Sequence, residues 1–133
     1  MNKMLKPLAI AAISIATLAP AIAADLGPED IQRAIETYKQ NEIRFKRDFV
    51  GKTIGFTWTF YNAKGNFFDD SEVRVEFGGG RFSGNVVCED VDQKTKDLVI
   101  EWNKGQKASV SGTVNDVWFG NLHLKKCSIT SAM

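Results

Sequence analysis

The sequence predicts a mainly β fold, five short strands closed into a small barrel behind one N-terminal helix. Three observations carry this. Before residue 48, apolar residues recur at helical spacing. From Gly51 on, the period changes to two, as in strands with one buried face. Two cysteines, Cys88 and Cys127, fall on the third and the last of these alternating stretches. The chain has 133 residues, enough for one domain, and is 44% hydrophobic and 25% charged, a balance that excludes a disordered chain.

The first residues stand apart. "MNKMLK" carries Lys3 and Lys6, "PLAIAAISIATLAPAIA" follows without a charge, and Ala21-Ile22-Ala23 is a small-residue cleavage pattern. This is the pattern of a secretory signal peptide over 1–23, leaving a single domain over 24–133 that starts at Ala24 or Asp25. The alternative is an uncleaved anchor, but the segment barely reaches the length of a membrane span, and Pro20 with its small neighbours favours cleavage. The expected location is periplasmic or secreted, with no stable membrane insertion after cleavage. No cysteine follows the apolar run, so a lipid-modified N-terminus is not offered. Without Lys3 and Lys6, 15 basic residues face 16 acidic ones, and the formal charge moves from +1 to −1. A generic nucleic-acid binder carries a basic footprint that this balance lacks.

Pro28 suits the first position of a helix, and Glu29 and Asp30 place negative charge in its first turn. Ile31, Ala34, Ile35, Tyr38 and Phe45 form the apolar stripe, so a helix is expected over about 28–47. In "KTIGFTWTFYN", Ile54, Phe56, Trp58 and Phe60 share one face. Thr53, Gly55, Thr57, Thr59 and Tyr61 take the other. Residues 62–66 read as a turn. In "EVRVEF", Val73, Val75 and Phe77 point in, and Gly78-Gly79-Gly80 ends the strand. "NVVCEDV" is a third strand. Leu98, Val99 and Trp102 suggest a short helical turn, with a short strand as the alternative. Lys107 to Val117 is a fourth strand with Ala108, Val110, Gly112 and Val114 on one face, and Asn121 to Thr130 a fifth.

Helix, three strands, a short connector and two strands suggest a five-stranded Greek-key barrel of the OB type, spanning about 51–130. In that topology the third and fifth strands meet at the closing seam, which brings Cys88 to Cys127. An even pair in an oxidising compartment reads as a disulfide, the alternative being two buried free thiols. A bridge closing 39 positions of chain contributes about 4 kcal/mol by the chain-entropy estimate.

These residues resemble a known family. Asn41-Glu42 on the helix, Gly51-Lys52 before the first strand, Cys88, Lys104-Gly105-Gln106, Gly112 and Cys127 look like the exported OB-fold proteins grouped as tRNA_anti-like. The resemblance covers about 28–130. It implies an OB barrel and, by analogy of fold, nucleic-acid binding. The chain departs from the family pattern at Ala108, where a β-branched residue is usual, and in the long "FFDDSEVRVEFGGGRFSG" segment.

OB barrels bind across strands two and three, between the loops joining strands one to two and four to five. Those loops read "YNAKGNFF" and "VWFGN" here. Tyr61, Phe67, Phe68, Trp118 and Phe119 are the candidate ligand-binding residues, with Trp118-Phe119 the strongest pair, because large apolar residues at exposed turns need a reason. The alternative is that Phe67 and Trp118 fold back onto the barrel end. Asp69-Asp70 reads as a solvated turn, short of the oxygens calcium needs. Lys64, Arg74 and Arg81 leave the local charge undecided. His123 alternates with Leu122 and Leu124, and so reads as a lone surface residue. Ser109, Ser111 and Ser128 have no paired acid or elbow near them. The glycine triplet lacks the lysine of a phosphate loop and reads as a flexible hairpin turn. Lys125-Lys126 reads as a solvated edge.

No metal site, cofactor or catalytic set is expected. The sequence therefore points to a non-enzymatic binding module that recognises a protein or envelope component through aromatic loops. The alternative partner is single-stranded nucleic acid on the same face, and a hydrolase is the remote third.

Overall fold

The computed structural model describes residues 24–65, 72–80 and 82–132. The signal-peptide reading of 1–23 lies outside them, as do Phe67, Phe68, Asp69, Asp70 and Arg81.

Two helices precede the barrel, α1 (Glu29–Gln40) and α2 (Glu42–Asp48). The single helix expected over 28–47 is thus broken at Asn41. That residue is extended, and its side-chain oxygen accepts from the Arg44 N–H at 3.0 Å, so it caps the second helix instead of continuing the first. The rings of Tyr38 and Phe45 meet edge to face across the break, 5.4 Å between centroids. Ile31, Ala34, Ile35, Phe45 and Phe49 are buried against the barrel. At the start of α1, the Gly27 N–H donates to the Asp30 carboxylate at 2.8 Å, and Arg33 pairs with that carboxylate. Both contacts favour the charged form and hold the Asp30 pKa below the usual carboxylate value.

The strands are β1 (Thr53–Lys64), β2 (Arg74–Phe77), β3 (Val86–Cys88), β4 (Lys107–Trp118) and β5 (Asn121–Ser131), with a helix α3 (Gln93–Val99) between β3 and β4. They form a closed barrel in the order β1-β2-β3-β5-β4, with β4 returning to β1. All neighbours are antiparallel except β3 and β5. This is the OB-type barrel the strand order implied. β1 runs through Lys64, past the turn expected at 62–66. An irregularity between Phe60 and Asn62 lets its first half pair with β4 and its second half with β2. β3 has only three residues where seven were expected. The connector helix starts at Gln93, well before Leu98, because the Asp92 carboxylate accepts from the Thr95 N–H and caps it there.

The inward faces are as the alternation predicts. Ile54, Phe56, Phe60, Val75, Phe77, Ala108, Val110, Val114, Leu122 and Leu124 are buried, and Trp58 and Val73 are partly so. Trp102 reaches in beside Phe60, edge to face at 5.5 Å. At the seam, Val86–Cys88 pairs in parallel with Leu122–Leu124, and Cys88 is bonded to Cys127 with their Cα atoms 6.0 Å apart. On β4, a Cβ at Gly112 would stand 2.9 Å from the Cys127 sulfur and 3.2 Å from the Lys125 carbonyl oxygen. Only a residue without a side chain leaves room for the bridge.

Gly112→Ala is expected to cost about 1–3 kcal/mol, read as a lower urea midpoint, because sulfur and backbone must shift together. Asn41→Ala should cost about 1 kcal/mol through loss of the α2 cap. The Asp30 contribution is complete above the ordinary carboxylate pKa and is lost as the pH falls through its lowered folded value. Asp30→Asn should therefore destabilise the domain at neutral pH and flatten the acid limb of its stability curve below about pH 4.

Candidate binding face

Strand register sets one row of residues on the outside of the barrel. Asn62 pairs with Glu76, Glu76 with Val87, Val87 with His123, and His123 with Asp116. The row crosses all five strands. It divides the outer face of β2, β3 and β5 into two ends of different chemistry.

One end is a groove of about 870 Å³ beside the β1–β2 connection. Its walls carry Glu72, Glu89 and Asp90 against Arg74, Lys125 and Lys126. The signs balance. Lys125 and Lys126 are exposed, and they lie just past the stretch Leu122–Leu124 over which β5 pairs with β3, as a solvated edge implies. They flank an irregularity of β5 where Lys126 has a φ of 53°. His123, by contrast, is not a lone surface residue. Its side chain is only 11% exposed, and its Nδ1 lies 2.5 Å from a Glu89 carboxylate oxygen. The alternation placed it on the outer face correctly. A carboxylate at the end of β3 then covers it.

The other end is aromatic. β4 and β5 are joined by two residues, Phe119 and Gly120, at φ 51° and 74°. Positive φ at both positions is the signature of a type I′ hairpin turn, usually met by Asn-Gly. Phenylalanine pays a steric penalty there. Trp118 is 60% exposed and Phe119 68%, their ring centroids 5.7 Å apart. Trp118 does not fold back onto the barrel end.

The third ring of this cluster is Phe82, 81% exposed and 6.1 Å from Phe119. It was hidden in the glycine-rich stretch that reads as a simple turn. The turn is tied to its neighbour: the Gly84 N–H donates to the Gly120 carbonyl at 2.9 Å. The Asn121 side chain accepts from the Asn85 N–H at 2.9 Å and donates to the Phe82 carbonyl at 3.1 Å. The β4–β5 turn therefore meets the β2–β3 loop. The expected meeting with the β1–β2 loop involves Phe67 and Phe68, which lie outside the described residues. Tyr61, on β1, is half-buried. Lys104 stands 4.5 Å over its ring, and Gly80 gives the ring its room, since any Cβ there would collide with it. Tyr61 is thus engaged by Lys104 and the loop at Gly80 within the fold.

Among the described residues, no group of three or more His, Cys, Asp or Glu side chains is placed to hold a metal, and no helix is long and apolar enough to cross a membrane.

No protein-family model matches the chain, and no curated protein sequence does. Solved structures do align. A Klebsiella pneumoniae protein, described provisionally as a nucleic acid-binding lipoprotein, aligns over 95% of this chain and 100% of its own, with a TM-score of 0.58 and 12% identity. An Entamoeba histolytica asparaginyl-tRNA synthetase aligns over 62% of this chain and 21% of its own, with a TM-score of 0.42 and 15% identity, too loosely to support an argument. At such identities the likeness speaks for the fold alone. The class of protein is a small OB-fold barrel with helices at its N-terminal side.

Phe119→Asn is expected to stabilise the domain by about 0.5–1 kcal/mol, since Asn tolerates positive φ, and a thermal melt reads this directly. Asn121→Ala should cost about 1–3 kcal/mol and raise amide hydrogen exchange at Asn85, because the two side-chain bonds that help join the loops are lost while the Gly84–Gly120 backbone bond remains.

Proposed function

We propose that the chain is a non-catalytic binding module that recognises a protein or envelope component through Phe82, Trp118 and Phe119. The observation that carries this reading is the exposure of three rings, Phe82 and Trp118 each against Phe119, on two loops hydrogen-bonded to each other. Apolar area left open in this way, with one ring held at an unfavourable backbone angle, fits a surface that a partner covers. Charge supports the same choice. Among the described residues, the groove on the same face has as many acids as bases, and the chain past residue 23 has a formal charge of −1. Export belongs to this reading and rests on the sequence of 1–23. So does placement with the exported tRNA_anti-like proteins, which rests on the motifs at Asn41-Glu42, Gly51-Lys52, Lys104-Gly105-Gln106 and Gly112 and on the cysteines.

A second reading is single-stranded nucleic acid stacked on the same rings. It is favoured by the fold likeness to the Klebsiella lipoprotein. Phosphate contacts give a steep loss of affinity with salt, so salt separates the two.

The test is a tryptophan-fluorescence titration of the oxidised domain with a short single-stranded oligonucleotide at 50 and 200 mM salt, beside capture from a periplasmic extract. Capture that survives both salts, with no oligonucleotide response, supports the first reading. Saturable quenching that fades steeply with salt supports the second. The Trp118→Ala/Phe119→Ala double variant should lose binding in either case and keep its melting transition. Loss of the fold in that variant would mean the rings are structural.

A further inference from the structure

Over its first half, β1 has a strand on one side only. The Val114 N–H donates to the Lys52 carbonyl, and Phe60 bonds to Gln106 and Gly105. Even-numbered residues from Lys52 to Phe60 therefore turn their backbone groups to β4, and odd-numbered ones turn theirs away. On that far side, Leu26 donates to the Thr53 carbonyl at 3.0 Å and accepts from the Gly55 N–H at 3.1 Å. Gly78 donates to the Thr59 carbonyl at 2.9 Å. Between these two lie the Gly55 carbonyl, the N–H and carbonyl of Thr57, and the Thr59 N–H. Among the described residues none of these groups has a partner, and Thr57 is exposed. The opening exists because β2 ends at Phe77, opposite Phe60.

Sheets blunt an open edge with lysine, proline or a bulge. Thr53–Thr59 has neither residue, and its register with β4 runs without a shift. Beside Thr57 is a cavity of about 240 Å³, lined by Ile31 and Gln32 of α1, by Phe56 and Trp58, and by Gly84 of the β2–β3 loop. None of these is charged. We propose that an extended, uncharged peptide segment of a partner protein adds to β1 here as a strand. Only a peptide repeats donor and acceptor at the period of a strand. Laid antiparallel, its central residue exchanges both bonds with Thr57, and the residues two places away reach the Gly55 carbonyl and the Thr59 N–H. Side chains alternate, so the central one lies outside, beside the Thr57 and Ser109 hydroxyls, which stand 3.4 Å apart. Its two neighbours turn to the side of Phe56 and Trp58, where the cavity is. The edge thus asks for an apolar, neutral polar, apolar sequence. With α1 and the β2–β3 loop both reaching the cavity, it suits a single extended chain better than the edge of a second barrel. Leu26 already pairs with β1 in this manner one step along.

This surface does not use Phe82, Trp118 or Phe119, so it stands or falls apart from the reading of the rings. The experiment uses the oxidised protein and three peptides, Ac-Ser-Gly-Z-Thr-Z-Gly-Ser-NH2, with Z as Val, Leu or Phe. Amide shifts and hydrogen exchange are followed by NMR. In the free protein the Thr57 and Thr59 amides should exchange about ten-fold or more faster than those of Phe56 and Trp58. At least one peptide should bind saturably, slow both amides and shift residues 55–59, 31–32 and 84. An N-methyl group on its central Thr should weaken it about ten-fold or more, since that blocks the pairing with Thr57. Thr57→Pro should do the same while keeping the melting transition, because the lost N–H points away from β4. The N-methyl peptide carries the test if that variant does not fold. No binding at millimolar peptide, shifts elsewhere, or equal binding of the N-methyl form overturns the proposal. Slow exchange at Thr57 and Thr59 without peptide also overturns it. The chain itself then covers the edge, or a second copy does where protection grows with protein concentration.

Discussion

Closure of the barrel depends on a short parallel seam. β3 offers three residues to β5, and parallel pairing is less stable per residue than antiparallel pairing. The Cys88–Cys127 bridge ties the same two strands at that seam, and Gly112 on the opposite neighbour of β5 leaves the space the sulfur needs. Other features follow from the seam being shut. With β3 held against β5, Glu89 comes to His123 and Val87 lines up between Glu76 and His123. The outer face of β2, β3 and β5 becomes one continuous surface. In a domain this small, a bridge of this loop length contributes a sizeable part of the net stability.

That surface has unlike ends, and the difference is spatial. The charged end gathers side chains from the start of β2, the end of β3 and an irregularity of β5. The aromatic end gathers side chains from two loops at the opposite ends of the same strands. A ligand lying along the face would meet rings first and mixed charge second. The loops meet through backbone and amide bonds that do not involve the rings themselves, so the rings are held in place with their surfaces free. Phe119 marks the conflict between stability and exposure. Its backbone position favours Asn or Gly, yet a large apolar ring stands there in solvent.

Much of the fold was legible in the alternation. Inward residues from Ile54 to Leu124 were assigned from period two alone, and the strand order then implied both the barrel and the neighbours that carry the cysteines. The helix break at Asn41 was less legible. Asn is both a weak helix former and a strong cap, and only the packing of Tyr38 on Phe45 decides which role it takes. Trp118 and Phe119 were visible because two large apolar residues interrupt a turn. Phe82 was not, since a phenylalanine among glycines looks like loop filler until Asn121, 39 positions on, is seen to hold its carbonyl.

The sequence by itself determined the period of each segment, hence which side chains face the core and which face out, because that depends only on neighbours along the chain. It also determined the cysteine positions that make a seam bridge possible. Tertiary structure alone decided what meets on the outside. His123 is covered because Glu89 arrives from another strand, the β4–β5 turn joins the β2–β3 loop, and Tyr61 is occupied by Lys104 and the loop at Gly80. Those contacts join residues 19 to 43 positions apart, and no local pattern encodes them. They arise from the twist and closure of the whole barrel.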